Sequence, residues 1–278
     1  MAKTTDSPNH PGHVHEVAVI GAGFGALALA HHLAEHGIDD LVVLERSDGV
    51  GCTWRANCYP GAACDVPSHL YCLSFLPNPK WSRTYASQPE ILDYIEHCYD
   101  DLGVRSKVRC GTTVRAATWD HDSRHWVLRD DGGNEYLART LVAAVGMFHT
   151  PAWPQVPGLD TFRGEVVHSA RWSPSRPLTG RRVAVIGTGA SAIQVVPAIA
   201  PEVAQLDLYQ RSAAWIMPRM DAPFTDEDRK RFADDPEHAR RYRQELYERY
   251  ESRTSFLAGD PAAAEMTAAG LMHLEEAV

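Results

Sequence analysis

Apolar and polar positions along the chain change period several times, and each change predicts an element. Glu16 to Ile20 and Leu41 to Leu44 are short apolar runs of the kind that form buried parallel strands. Between them, from Gly25 to His36, Ala26, Leu29, Ala30 and Leu33 recur at helical spacing. The same order returns later, with Val183 to Ile186 as a strand, Ser191 to Ala200 as a helix and Leu206 to Tyr209 as the next strand; Pro197 shortens or kinks that helix. Residues 112 to 137 alternate as TTVRAATWD, HWVLRD and EYLA around a DGGN turn, and predict a β-meander. RTLVAAVGMF follows as another buried strand, running into Gly146. Within residues 83 to 102, Ser87 as N-cap, Pro89 in the first turn and Glu90 open an amphipathic helix.

From residue 221 charge dominates. Tyr242, Leu246 and Tyr250, spaced by four, predict one solvent-exposed amphipathic helix over 221 to 254, and AAAEMTAAGLMHLEEAV predicts another. The fold class is therefore α/β: two Rossmann-like dinucleotide-binding units with an inserted β-meander, the second unit incomplete. The segments are 14–148 for the first unit and meander, 149–180 for a linker, 181–222 for the partial second unit and 223–278 for helices.

Both strand-helix junctions carry a glycine loop. In the first, Gly21-x-Gly23-x-x-Ala26, Gly21 permits a tight turn, Gly23 lets backbone N–H groups approach a pyrophosphate, and Ala26 lets the helix pack on the strand. The helix N-terminus adds partial positive charge. In the second, Gly187-Thr188-Gly189 is followed by Ser191 and Ala192. The residue 24 positions after the first glycine is Glu45 in one unit and Arg211, beside Ser212, in the other. A carboxylate suits the free ribose hydroxyls of FAD or NAD, whereas a guanidinium grips the 2′-phosphate of NADP. Asp207 is an alternative NAD-type acid, but it falls inside its strand. An FAD unit followed by an NADPH unit describes a flavoprotein reduced by NADPH.

Composition narrows the partners. With 27 basic and 36 acidic residues the net charge of −9 offers no electrostatic case for nucleic acid or an anionic membrane. No signal peptide or membrane-length apolar run is present, so the expected location is the cytoplasm. Six cysteines without a C-x-x-C pair are expected as reduced, mostly buried thiols, with neither a disulfide framework nor a metal site. His10, His13 and His15 are able to chelate a metal loosely, but the expectation is a solvated, disordered tail. The irregular stretch 49 to 75 is long enough to be functional, and its Thr53, Trp54, Asp65 and Tyr71 are able to line a flavin ring.

These segments resemble the type I Baeyer–Villiger monooxygenases, from about Val17 to about Pro218. GVGCTW and CYPGAACDVPS are similar to that family's flavin loop, YASQPEIL to a helix entry, and VIGTGASAIQ with YQRS to its NADPH loop. Phe162, Gly164, His168 and Trp172 match its F-x-G-x-x-x-H-x-x-x-W fingerprint. The resemblance implies that Gly21, Gly23, Ala26, Glu45, Thr53, Trp54, Asp65, Tyr71 and Val114 contact or flank FAD. It implies that Gly187, Thr188, Gly189, Ser191, Gln194, Arg211 and Ser212 bind NADPH. Asp65 and His168 are its catalytic candidates, Asp65 as an NADP-contacting carboxylate and His168 as a conformational residue of the linker, where it and Trp172 hold a hinge; a structural histidine and a core tryptophan are the plainer alternatives.

The implied chemistry is hydride transfer to flavin, oxygen activation as a C4a-peroxyflavin, and insertion of one oxygen beside a ketone carbonyl to give an ester or lactone. Closure of the site around NADP⁺ would protect that intermediate from water. Oxygenation of nitrogen or sulfur, and a non-catalytic nucleotide-binding role, remain as alternatives. Cys52 stands where a glycine is usual, Ala63 where an arginine is common and Ser173 where Pro or Asp closes the fingerprint. The family's further NADPH-domain strands and second FAD segment have no counterpart in these 278 residues. The expectation is weak FAD binding by this chain alone, or a separately encoded C-terminal section as partner.

Overall fold

The computed structural model describes residues 12–148, 150–212, 216–251 and 261–277. Two compact units are present, residues 1–57 with 91–171 and residues 58–90 with 172–278, so the chain passes between units after Asn57, after Glu90 and at the unit boundary between Arg171 and Trp172.

In the first unit, β1 (Val14–Ile20), α1 (Phe24–Glu35) and β2 (Leu41–Leu44) form the β-α-β motif read from the sequence. α2 (Thr53–Ala56), α3 (Gln88–Asp101, in this unit from Ile91 onward), β3 (Val108–Arg109), β4 (Val114–Asp120), β5 (His125–Asp130) and β6 (Glu135–Ala143) follow. The strands make one sheet in the order β3-β2-β1-β6-β5-β4. β1, β2, β3 and β6 run parallel, while β4 and β5 are antiparallel additions. β2 is buried along its whole length, as a central parallel strand must be. On one face Ala18, Val42, Leu44, Leu128 and Ala138 form a buried cluster, flanked by Ile20, Val114 and Trp126.

Three expectations are corrected here. EYLA and RTLVA are not two strands but one, β6, which pairs antiparallel with β5 and parallel with β1. No Gly, Pro or turn residue separates Ala138 from Arg139, so nothing stops the ladder, and the second half of β6 is only half-buried. The histidines before β1 are not a solvated tail. β1 begins at Val14, His15 is 7% exposed, and both His13 Nε2 and His15 Nδ1 pair with Asp40, at 2.9 and 2.7 Å; His10 lies outside the described residues. Pairing of β1 with the start of β2, through the Val17 N–H to the Asp40 carbonyl, brings these groups together. The six cysteines are free thiols, but only Cys64 and Cys98 are fully buried, and Cys110 is exposed.

In the second unit, β7 (Arg182–Ile186), α4 (Ala190–Ile199) and β8 (Gln205–Tyr209) form a second β-α-β motif with a two-stranded parallel sheet. α4 contains Pro197 and stops two residues later. The expected single helix over 221–254 is two: α5 (Asp226–Asp234) and α6 (Pro236–Glu251). A capping box between Thr225 and Asp228 starts α5. The break is local chemistry, because Pro236 has no N–H to continue a helix and Asp235 accepts the His238 N–H at 3.0 Å. Nor are these helices simply solvated: Phe232 and Leu246 are buried, and His69 packs against Phe224, Phe232 and Tyr242. α7 (Pro261–Ala277) closes the described chain. Among the described residues, no helix is long and apolar enough to cross a membrane.

Candidate nucleotide sites

At the carboxyl end of β1 the chain turns through Gly21 at φ +100°. A Cβ there would lie 2.5 Å from the Ala144 carbonyl oxygen, so this position requires glycine twice over, by conformation and by space. Gly23 caps α1 without any side-chain hydrogen bond, which leaves the first-turn N–H groups facing outward. Ala26 is fully buried and takes the packing role its small size allows.

Glu45 follows β2 directly and is 3% exposed. Its Oε1 accepts the Ser47 N–H at 2.8 Å; its Oε2 accepts the Ala22 N–H at 2.8 Å and the Cys52 thiol at 3.1 Å. Burial by itself would raise this carboxyl, but the Ser47 and Ala22 N–H groups outweigh it and hold Glu45 below its ordinary value. Burial and the adjacent carboxylate push Cys52 up to about 12, so it remains a thiol. A carboxylate has about four lone-pair sites. The Ser47 and Ala22 N–H groups, the Cys52 thiol and the Ser47 hydroxyl all bond to it, so a ribose hydroxyl would enter by displacing the thiol or the Ser47 hydroxyl.

Around this carboxylate lies a cleft of about 380 Å³, lined by Gly21, Glu45, Cys52, Thr53, Val114 and Phe148 among others. That is within the range of small-molecule sites. Arg46, Thr112 and Arg115 also line it, and sequence reasoning missed all three. Arg46 follows Glu45 just past β2, and Thr112 and Arg115 lie at the start of the predicted TTVRAATWD strand, where only the closing of the sheet shows which side chains face the cleft. Trp54 lies in α2 and is half-buried.

The second unit holds its own predicted residues. Gly187 turns at φ +103°, matching Gly21, and Gly189 caps α4, again with no side-chain cap. Thr188 and Ser191 are at this turn, Ser191 half-buried, and Arg211 and Ser212 are exposed just past β8. Asp207 lies mid-strand, its carboxylate accepting from Gln205 at 3.0 Å, as its position in the sequence indicates. Gln194 is not an open ligand group: its amide donates to the Ala63 carbonyl at 2.9 Å, and its oxygen accepts from Tyr59 at 3.0 Å. It clamps the loop carrying Gly61, whose added Cβ would meet the Gln194 carbonyl at 2.4 Å. Beside that clamp is a cleft of about 390 Å³ that includes Arg83 and Arg219, two cations no motif announced. Asp65 is exposed and Tyr71 half-buried in this unit.

The fingerprint residues straddle the unit boundary. His168, in the first unit, accepts the Ala170 N–H on Nδ1 at 3.1 Å and meets Trp153 edge-on at 5.3 Å. Trp172, in the second, accepts the Cys58 thiol on its carbonyl at 3.2 Å, with the Arg176 guanidinium 5.9 Å from its ring.

A family model described as flavin-binding monooxygenase-like matches residues 14–225. The chain is similar to a Baeyer–Villiger monooxygenase of Pseudomonas aeruginosa, 46% identical over 238 residues, covering 86% of this chain and 45% of that protein. It is 51% identical over 219 residues to a Baeyer–Villiger monooxygenase of Streptomyces coelicolor, covering 78% of this chain and 42% of the other. Among solved structures, NADP⁺-bound cyclohexanone monooxygenase from Rhodococcus sp. Phi1 superposes with a TM-score of 0.75 at 40% identity, covering 81% of this chain and 43% of that one. The chain spans less than half the length of the curated relatives it matches.

Proposed function

The chain belongs to the flavin-binding monooxygenase-like family, and from that premise we propose that it carries the FAD- and NADPH-binding portion of a Baeyer–Villiger-type monooxygenase. The observation that carries this reading is the pair of glycine turns with opposite endings. One leads to a buried carboxylate that lines a cleft, the other to an exposed guanidinium beside a serine. The named relatives are Baeyer–Villiger monooxygenases, and a solved neighbour binds NADP⁺, which supports the choice of reaction and of reductant.

The residues present fit both nucleotides. Gly21, Gly23 and the α1 N-terminus would hold the FAD pyrophosphate, Glu45 its ribose, and Thr53, Trp54 and Val114 would flank it. Gly187, Thr188, Gly189 and Ser191 would hold the NADPH pyrophosphate, with Arg211 and Ser212 on the 2′-phosphate. Asp65 and Tyr71 are assigned to the cofactor side of the 58–90 loop, and Gln194 to holding that loop in shape. Bound flavin, reduced by NADPH, supplies oxygen activation for insertion of one oxygen atom beside a ketone carbonyl. His168 and Trp172, on either side of the unit boundary, act as hinge residues whose movement accompanies nicotinamide approach.

The proposal includes a separately supplied C-terminal section that adds strands to the β7–β8 sheet. Its support is apolar surface on that motif: Ile186 is 64% exposed, Ile193 49% and Leu208 48%. Titration of the purified chain with FAD and NADPH tests the binding half. Saturable binding of both, with Arg211→Ala weakening NADPH about tenfold relative to NADH (~1.4 kcal/mol), is the expected result; equal affinity for NADH and NADPH in the unsubstituted chain would overturn the assignment. For the reaction, a cyclic ketone assayed beside a tertiary amine, with the complementing section present, separates carbonyl from heteroatom oxygenation.

A further inference from the structure

The geometry points to a divalent transition-metal site at the amino end of the first sheet, built from His13, His15 and Asp40. His13 lies just ahead of β1 and His15 is its second residue, and both imidazoles reach the same carboxylate, that of Asp40. Asp40 is the last residue before β2, and parallel pairing of Val17 with Leu41 brings it alongside Glu16, within reach of both imidazoles. His13 Nε2 lies 2.9 Å from Asp40 Oδ2 and His15 Nδ1 lies 2.7 Å from Asp40 Oδ1. The ligand atoms of all three residues fall within 4.8 Å of one another.

Two imidazole nitrogens and a carboxylate oxygen converge from a rigid strand and an adjoining turn. Ligands at about 2.0–2.1 Å from a tetrahedral zinc ion are about 3.3 Å apart; with the ligand atoms already within 4.8 Å of one another, binding exchanges the two histidine–carboxylate hydrogen bonds for bonds to the ion. The donor set selects for Zn²⁺, Co²⁺ or Ni²⁺ and against Mg²⁺ or Ca²⁺, which need oxygen-rich shells. His15 is buried and fixes the inner side, while the His13 and Asp40 side chains are 23% and 31% exposed and leave a path for the ion and a water in the fourth position. The Glu16 N–H also reaches Asp40 Oδ2, at 3.3 Å, and orients the carboxylate. The nucleotide loop leaves the opposite end of β1, so the ion is a structural staple joining the start of β1 to the α1–β2 turn and takes no part in oxygenation.

The test uses tag-free, chelator-stripped protein titrated with Co²⁺ and competed with Zn²⁺. One equivalent of Co²⁺ should bind with a nitrogen/oxygen-type spectrum and no thiolate charge-transfer band. Zn²⁺ should raise the melting temperature in a concentration-dependent way, whereas Mg²⁺ and Ca²⁺ should not. His13→Ala, at a half-buried position ahead of the strand, and Asp40→Asn should each weaken binding by about 100-fold or more. A second cluster, His31, His32 and Glu35, lies on α1 and serves as the control. The double variant His31→Ala/His32→Ala should bind like the unsubstituted chain. The proposal is wrong if no saturable single equivalent binds, if both His13→Ala and Asp40→Asn retain it, or if the control variant is the one that loses it.

Discussion

Cys52 is where residue-scale chemistry is most informative. It adopts φ +43° and ψ −106°, a conformation suited to glycine, and donates its thiol to the Glu45 carboxylate. Such a conformation costs about 1–3 kcal/mol in a side-chain-bearing residue, more than the ~0.5–1 kcal/mol that glycine's extra chain entropy costs. Cys52→Gly should therefore raise stability by about 1 kcal/mol, read by urea unfolding, and should also tighten FAD binding by freeing a Glu45 lone pair. Glu45 itself should show a pH signature. Its folded value is depressed, so its contribution is complete above the unfolded value of about 4.3 and is lost as pH falls through the folded one. Glu45→Gln sets an amide N–H against backbone N–H donors and should cost about 2 kcal/mol at neutral pH. Measured at progressively lower pH, the gap between variant and unsubstituted protein should narrow; a constant gap would contradict the role of the carboxylate.

At the scale of elements, the packing of α5 and α6 turns on His69. Its Nε2 has no hydrogen-bond partner among the described residues, and burial first, then the charges of His238 and Arg243, pushes its value down to about 4. A neutral imidazole is thus built into this core. Because the folded value lies below the unfolded one of about 6.5, its stabilising effect is complete above that pH and declines as pH falls towards about 4. His69→Phe removes the orphan nitrogen beside a cavity of about 170 Å³ that gives the larger ring room, and should flatten this slope without loss of stability. Phe232→Ala, by contrast, empties the centre of the cluster and should cost about 3 kcal/mol, with loss of helical ellipticity on melting. The loop from Tyr59 to Ala63 is likewise an element-scale device, held by the Gln194 amide rather than by any periodic pattern of its own.

For the whole molecule, the contrast between the two sheets matters most. The first sheet has six strands and a buried parallel centre; the second has two strands and exposed apolar residues at Ile186, Leu208 and Tyr209. Uncovered apolar strands favour self-association and breathing of the motif. The chain alone should bind a hydrophobic dye and exchange the β7–β8 amides quickly, and the complementing section should suppress both while bringing NADPH-driven oxygen uptake. Oxygen uptake at full rate by this chain alone would refute the need for that section.

Both β-α-β motifs, their glycine turns, the meander and the family were legible in the residues, because each rests on local rules: side-chain period, positive φ at glycine and fixed offsets along one strand. What the sequence could not determine was decided by residues far apart in the chain. The merging of two segments into β6 depended on two neighbours pairing with it at once. The capture of His13 and His15 by Asp40 depended on strand register, and the Gln194 clamp on an approach between residues 131 positions apart. Burial of Glu45 among donors from Ala22, Ser47 and Cys52 likewise needed the chain to fold back from Cys52. A linear pattern records which groups are present and how often they recur. Only the closed sheet and packed loops decide which lone pairs are already taken.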